Sequence, residues 1–203
     1  MKDKIGTFAR SKDVIMGAYA PYYDLMMKVM TLGREKSLRQ IELDIIGVKK
    51  GDIVLEIGCG TGTLSLSAFE RTGNMGKVYG IDAAPEMIQK SRKKSDRFNK
   101  NIEFQVGDIS DIPFDDNMFD VVMCSFMIFH ISPEKRERGF NEICRVLKNN
   151  GAVLIVDTIK EEGIQILENS MKPLFSQVKW GFKKVGFLLP QIAYIRGITE
   201  KNN

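Results

Sequence analysis

The sequence predicts a doubly wound, mostly parallel α/β sheet with helices on both faces and a helical segment before it. Three observations lead there. Five short, near-continuous apolar runs recur from residue 52 onward, as strands buried on both faces require. Helical stretches separate most of them, which implies right-handed crossovers. A glycine-rich turn, "GCGTG", joins the first run to the first helix.

In chain order, residues 12–47 carry Tyr19, Tyr23, Met26, Met27 and Met30 at helical spacing. They predict one or two helices, broken near Thr31–Gly33. "DIVLEI" (52–57), "KVYGI" (77–81), "IEFQV" (102–106), "FDVVMC" (119–124) and "AVLIVD" (152–157) read as strands. The helices between them are expected over 62–71, 86–97 and 134–147. Pro85 suits the start of the second. Ser132 and Pro133 suit the cap and first position of the third, and Asn150–Gly151 a left-handed stop after it. Residues 161–176 look helical apart from Pro173. "KWGFKKVGFLLP" reads as a helix or a strand, and "QIAYIRGIT" (191–199) as a last strand, so one or two strands close the sheet. The expected organisation is one domain over 1–203: a helical segment (1–50), a core (51–158), and a helix with a closing strand (159–203).

At 203 residues, 43% hydrophobic and 28% charged, the chain has an ordinary globular composition. Its net charge of +4 does not by itself argue for nucleic acid, and no nucleic-acid partner is expected. Much of the excess lies at the end, where Lys172, Lys179, Lys183, Lys184, Arg196 and Lys201 face Glu200 alone. Cys59, Cys124 and Cys144 are scattered, and a single histidine adds no metal cluster, so no metal is expected. Reduced thiols and the absence of an apolar leader or spanning run point to the cytoplasm.

Gly58, Gly60 and Gly62 let the backbone approach a ligand, and the helix that follows offers unpaired N–H groups to a carboxylate or phosphate. Spacing of the G-x-G-x-G type departs from the dinucleotide fingerprint. Asp82 nevertheless ends the next strand, where a carboxylate suits ribose hydroxyls; a helix cap is its other reading. Asp108 ends the strand after that, where it can accept from an exocyclic amine while Ile109 packs on a purine. The alternative for Asp108 is a turn residue. Together the three strand ends describe an adenosine-bearing ligand at the carboxyl edge of the sheet.

The stretches "VLEIGCGTG", "VYGIDAAPEMIQKS", "FQVGDISDIPFDDNMFDVVMCSFMIFHI" and "EICRVLKNNGAVLIVD" resemble the successive motifs of class I S-adenosylmethionine-dependent methyltransferases. The similarity is greatest to the type 11 branch, which includes quinone-biosynthesis C-methyltransferases and bacterial phospholipid N-methyltransferases. It covers roughly residues 19 to 157. The resemblance implies S-adenosylmethionine as cofactor. Glu56 would orient the loop or the cofactor's ammonium, with Gly58, Cys59, Gly60 and Gly62 around its methionine part. Asp82 would hold the ribose, with Ala83 and Met87 beside the adenine and Asp108 and Ile109 at its edge and face. Cys124 and Ser125 would border the sulfonium. "YAPYYDLMMKVMTLGREKSLRQ" resembles the lid of those branches, with Tyr23–Asp24 and Gly33–Arg34 on its paired positions. The quinone enzymes usually show an alanine-glycine-glycine loop and a glycine-leucine-arginine-asparagine run. This chain has "IGCGTG" and "FMIFHI" there, so the expected acceptor is a small molecule or a lipid, without further choice.

His130, the one histidine, follows the fourth strand and is a candidate general base, with a loop-fixing role as the alternative. Tyr23 is a second candidate on the lid; core packing is its other reading. "MKPLFSQVKWGFKK" reads as a solvated helix or as a weak membrane-surface contact. A non-catalytic S-adenosylmethionine-binding domain and a nicotinamide-dependent oxidoreductase are the competing functions.

Overall fold

A computed structural model of the protein describes residues 22–186 and 191–201. Its sheet has seven strands in the order β3-β2-β1-β4-β5-β7-β6: β1 (Ile53–Ile57), β2 (Lys77–Asp82), β3 (Glu103–Val106), β4 (Phe119–Ser125), β5 (Leu147–Asp157), β6 (Ser176–Lys184) and β7 (Gln191–Ile198). The first five run parallel. The hairpin β6–β7 then closes the sheet, with β7 antiparallel to β5. The strand order reverses between β1 and β4, which is where an open α/β sheet binds its ligand.

Among the described residues six α-helices accompany the strands: α1 (Tyr23–Met30), α2 (Glu35–Ile46), α3 (Thr63–Thr72), α4 (Pro85–Arg97), α5 (Pro133–Val146) and α6 (Glu161–Met171). The predicted break near residues 31–33 separates α1 from α2. Alternate residues of each central strand go to opposite faces, as a pleated strand demands. Leu55, Ile57, Val122, Val153 and Ile155 share a buried cluster with Phe140 and Ile143 of α5 and Met171 of α6. Val54, Met123, Leu154 and Val156 pack instead with Leu43 of α2, Leu64 of α3 and Ile88 of α4.

Two local expectations change and one open alternative is decided. α5 ends at Val146, and Leu147 already pairs with Phe119 in β5. Asn150 does adopt a left-handed φ of 62°, but inside β5, where the pairing to β4 shifts register. α6 stops at Met171, before Pro173, which has no N–H to continue it. "KWGFKK" is strand rather than helix: Lys179 to Lys184 pair with Arg196 to Gln191 across the hairpin, so two strands close the sheet. β6 is an outer strand, and its pairing slips between Ser176 and Lys179. Tyr19 and the rest of 1–21 lie outside the described residues.

Candidate functional site

A cavity of about 130 Å³ opens at the carboxyl edge of the sheet, on the β1/β4 switch. Its wall is assembled from the ends of β1 to β4 and from α1. Ten of the residues singled out in the sequence line it: Tyr23, Gly58, Gly60, Asp82, Ala83, Met87, Asp108, Ile109, Ser125 and His130. Glu56, Cys59, Gly62 and Cys124 do not, and lie behind the wall.

The glycine turn is fixed from β2. The N–H groups of Gly58 and Cys59 both donate to the Ile81 carbonyl, at 2.8 and 3.0 Å. Gly60 N–H donates to Asp82 Oδ2 at 2.8 Å, and Asp82 Oδ1 accepts from Ala84 N–H at 2.9 Å. One carboxylate thus ties the loop to the entry of α4, at the point where the sequence suggested either a ribose ligand or a cap. Gly58 has φ +70°, and a Cβ there would meet Met127 Cγ at 2.8 Å. Gly62 has φ +79°, and its Cβ would meet Phe104 Cζ at 2.9 Å. Both positions need glycine twice over, for conformation and for space.

Behind the loop, Glu56 is buried and accepts a hydrogen bond from Ser65 Oγ at the start of α3. Burial pushes its carboxyl up to about 8, against the opposing pull of Ser65 and of the Arg39 guanidinium. Arg39 and Glu42 of α2, also buried, form an ion pair at 3.1 Å. Ser125 Oγ donates to Glu42 at 2.7 Å and accepts from Arg39 Nη1 at 3.0 Å. Arg39 Nε is a buried donor with no partner among the described residues. Cys59 and Cys124 are buried, and burial raises both thiols well above their ordinary range. Neither presents a thiolate near neutrality.

Asp108 accepts from Ser110 N–H at 2.9 Å and Ser110 Oγ at 2.7 Å, and pairs with Lys135 of α5. Partial burial works against its charge, but Lys135 and Ser110 outweigh it and hold the carboxyl below its usual range. Lys135 itself lines the cavity.

Tyr23 roofs the cavity from α1. Its ring stands 3.6 Å from where a Gly60 Cβ would be and packs on Ala84 and Met87. Burial raises the phenol's pKa, so Tyr23 keeps its proton near neutrality. The next residue, Asp24, fastens the roof: its Oδ1 accepts from Thr61 Oγ1 at 2.5 Å and from Lys94 Nζ at 2.8 Å. Lys94 also reaches Thr61 and Thr63, at 2.8 and 3.1 Å.

After β4 the chain turns through Phe126, a non-glycine residue at φ 55°. Such a left-handed residue stores strain where neighbours hold it in place. Here the Phe126 N–H donates to Val156 O at 2.8 Å. The turn places Met127 over Gly58 and carries His130, exposed, to the cavity rim. Asp157, at the end of β5, is buried, its Oδ2 has no hydrogen-bond partner among the described residues, and burial raises its pKa against the opposing pull of the Thr158 N–H and of the nearby His130.

Sequence reasoning missed Arg39, Glu42 and Lys135; it read Met127 with Phe126, Ile128 and Phe129 as an apolar acceptor wall, but not as the side chain over Gly58. A buried charge pair on α2 had a visible signal, since Arg39 and Glu42 stand three residues apart on the face that also carries Leu38 and Leu43. Lys135 had none, and the contact of Met127 with the glycine turn had none either, because only the fold brings them to Asp108 and to Gly58.

A family model described as a methyltransferase domain matches residues 54–151. The ubiquinone/menaquinone biosynthesis C-methyltransferase UbiE of Citrifermentans bemidjiense is 35% identical over 145 residues, which are 70% of this chain and 61% of that protein. This chain therefore spans about three-fifths of that relative's length. The demethylmenaquinone methyltransferase of Lactobacillus johnsonii is 30% identical over 180 residues, 88% of this chain and 68% of that protein. Among solved structures, a SAM-dependent methyltransferase from Aquifex aeolicus has a TM-score of 0.70 at 22% identity, covering 90% of this chain and 98% of that one. That likeness is one of fold.

Proposed function

The chain belongs to the class I S-adenosylmethionine-dependent methyltransferases, and on that premise we propose that it transfers a methyl group to a small apolar acceptor of the quinone type. The observation that carries the reading is the placing of Asp82 and Asp108 at the ends of the adjacent strands β2 and β3, beside the glycine turn of β1. Two carboxylates and a Cβ-free backbone suit the ribose, amine and amino-acid parts of one adenosine-bearing ligand. The quinone acceptor is supported by the names of the relatives above.

The donor set fits S-adenosylmethionine in kind. Asp82 and Asp108 offer acceptors, Met87 and Ile109 are apolar faces between them, and the buried, protonated carboxyl of Glu56 stands behind the turn. The room fits after one adjustment. A 130 Å³ cavity is below the roughly 300–1,000 Å³ of small-molecule sites. Tyr23 and Met127 are the side chains standing over the turn, and both sit on segments outside the sheet.

When bound, the cofactor supplies a methyl group on a cationic sulfur. The protein's share is alignment of the acceptor with that methyl, an effect worth ~7–11 kcal/mol where the geometry is tight. Phe126, Met127 and Ile131 give the acceptor side an apolar wall. Tyr23 keeps its proton, so where the acceptor must lose one, His130 at the rim is the group to take it. A cytoplasmic location, supported by three free cysteines, belongs to the same reading.

Calorimetric titration with S-adenosylhomocysteine and with NAD tests the cofactor half. Binding of the first and not the second is expected; binding of NAD alone would overturn the assignment. A homocysteine-release assay over quinol, phenol, amine and lipid acceptors tests the other half. Cofactor binding without turnover on any of them would make the protein a binder rather than an enzyme.

A further inference from the structure

We propose that α1 is the docking element of this protein on anionic lipid bilayers, and that the basic groove beside it supplies the charge for that docking. This holds whichever acceptor is methylated.

α1 is solvated on the wrong side. Tyr22, Leu25, Val29, Met30 and Leu32 are all more than half exposed. Only Met27 of the helix is buried, and Tyr23 turns inward to the cavity. A surface helix normally presents charge to water and its apolar stripe to the core. Here the outward stripe is aliphatic over two turns, an arrangement that marks an interaction surface.

The neighbouring surface is strongly basic. A groove of about 680 Å³ runs between α1–α2 and α3–α4, with Asp24 of α1 on its wall. Lys36, Lys90, Lys93 and Arg97 line it and enter no ion pair among the described residues. Of the groove's three acids, Asp24 and Glu35 are already matched by Lys94 and Arg39, which leaves Glu70 against those four cations. Phe98, 56% exposed, adds an aromatic at the end of α4.

Aliphatic side chains flanked by unpaired lysines are the composition of an interfacial anchor on anionic lipid. A second copy of the chain would bring like charges together. Single-stranded nucleic acid asks for a run of stacked aromatics, whereas this stripe is leucine, valine and methionine with Tyr22 as its single aromatic. The lipid surface alone suits both parts. α1 is also anchored for the task, because Asp24 ties it to Thr61 and Lys94. Docking by α1 would bring the cavity that Tyr23 roofs to the lipid boundary.

Flotation with vesicles of phosphatidylcholine, with and without phosphatidylglycerol, tests the proposal. Wild type should float with the anionic vesicles and be largely released by high salt. Leu25→Ser/Val29→Ser should lower partition on the order of tenfold. Lys90→Gln and Lys93→Gln should each cost about fivefold on anionic vesicles and nothing on neutral ones. All positions changed are exposed or half-exposed, and an unshifted melting midpoint confirms that the variants fold. Failure of wild type to float overturns the proposal, as does partition unaltered in Leu25→Ser/Val29→Ser. So do a dimer that this variant dissociates without any vesicle binding, and tighter binding to RNA than to anionic vesicles.

Discussion

Asp82 holds Gly60: the carboxylate at the end of β2 accepts the glycine's N–H at 2.8 Å. The same side chain takes the Ala84 N–H, so the loop of β1 and the entry of α4 share one anchor.

Asp82→Ala should therefore cost twice. Two backbone donors lose their acceptor, which lowers stability by ~1–3 kcal/mol. Affinity for S-adenosylhomocysteine should fall by ~100-fold, since a charged acceptor is removed from a ligand as well as from the loop. Asp82→Asn keeps one acceptor oxygen and should fall between. Calorimetry and a melting curve separate the two costs; equal affinity in Asp82→Ala would refute a ribose role.

Met127 and Gly58 should couple. Gly58→Ala must accept both φ +70° and a Met127 contact of 2.8 Å. The conformation alone costs ~1–2 kcal/mol. Met127→Ala removes the 2.8 Å contact and leaves only the one to Cβ at 3.1 Å, so Gly58→Ala/Met127→Ala should be more stable than the single changes add up to. A double-mutant cycle by urea unfolding with a coupling near zero would contradict the close approach.

Glu56 should make stability fall with rising pH. The carboxyl ionises near 4.5 in the unfolded chain and near 8 in the fold. Between those values the fold retains a proton that the unfolded chain has released. The stabilisation is complete below pH 4.5 and lost as pH rises to 8, with a slope of up to ~1.4 kcal/mol per pH unit. Glu56→Gln should flatten that slope in urea titrations across the window. An unchanged slope would place the proton elsewhere.

Lys94 should matter more for the roof than for the fold. Its pair with Asp24 is exposed on the Asp24 side, where such pairs contribute ~0.2–1 kcal/mol. Lys94→Met should leave the melting midpoint nearly in place. Dissociation of S-adenosylhomocysteine should quicken about threefold to tenfold, because α1 then lifts more easily from Thr61. Stopped-flow displacement reads this; an unaltered off-rate would mean that Asp24 and Thr61 suffice.

The parallel core was legible because its signal is local. Each central strand is an apolar run, and each crossover helix has its own cap or stop, as Ser132 and Pro133 do for α5. The hairpin was half legible: its second strand reads as one, whereas "KWGFKK" alternates charge and aromatic in a way that also fits a helix, and only pairing with β7 decides it. The site divides similarly. Strand-end acids announce themselves by position. Side chains that come from elsewhere to cover them, such as Met127 and Lys135, are set by angles between elements that no short window encodes. Phe126 is the sharpest case, because a phenylalanine carries no local preference for φ 55°.

The two rims of the sheet differ in how they resist joining a neighbour. β3 is four residues long and offers little backbone to pair with. β6 is nine residues long, enough to template a foreign strand, yet its pairing slips between Ser176 and Lys179, and Lys179, Lys183 and Lys184 lie along it. Irregular backbone and repeated positive charge are what keep such rims from end-to-end polymerisation. Replacing those lysines by apolar residues should thus convert a well-behaved sheet into one that seeds fibrils, and the C-terminal basic excess is in this light a guard on assembly.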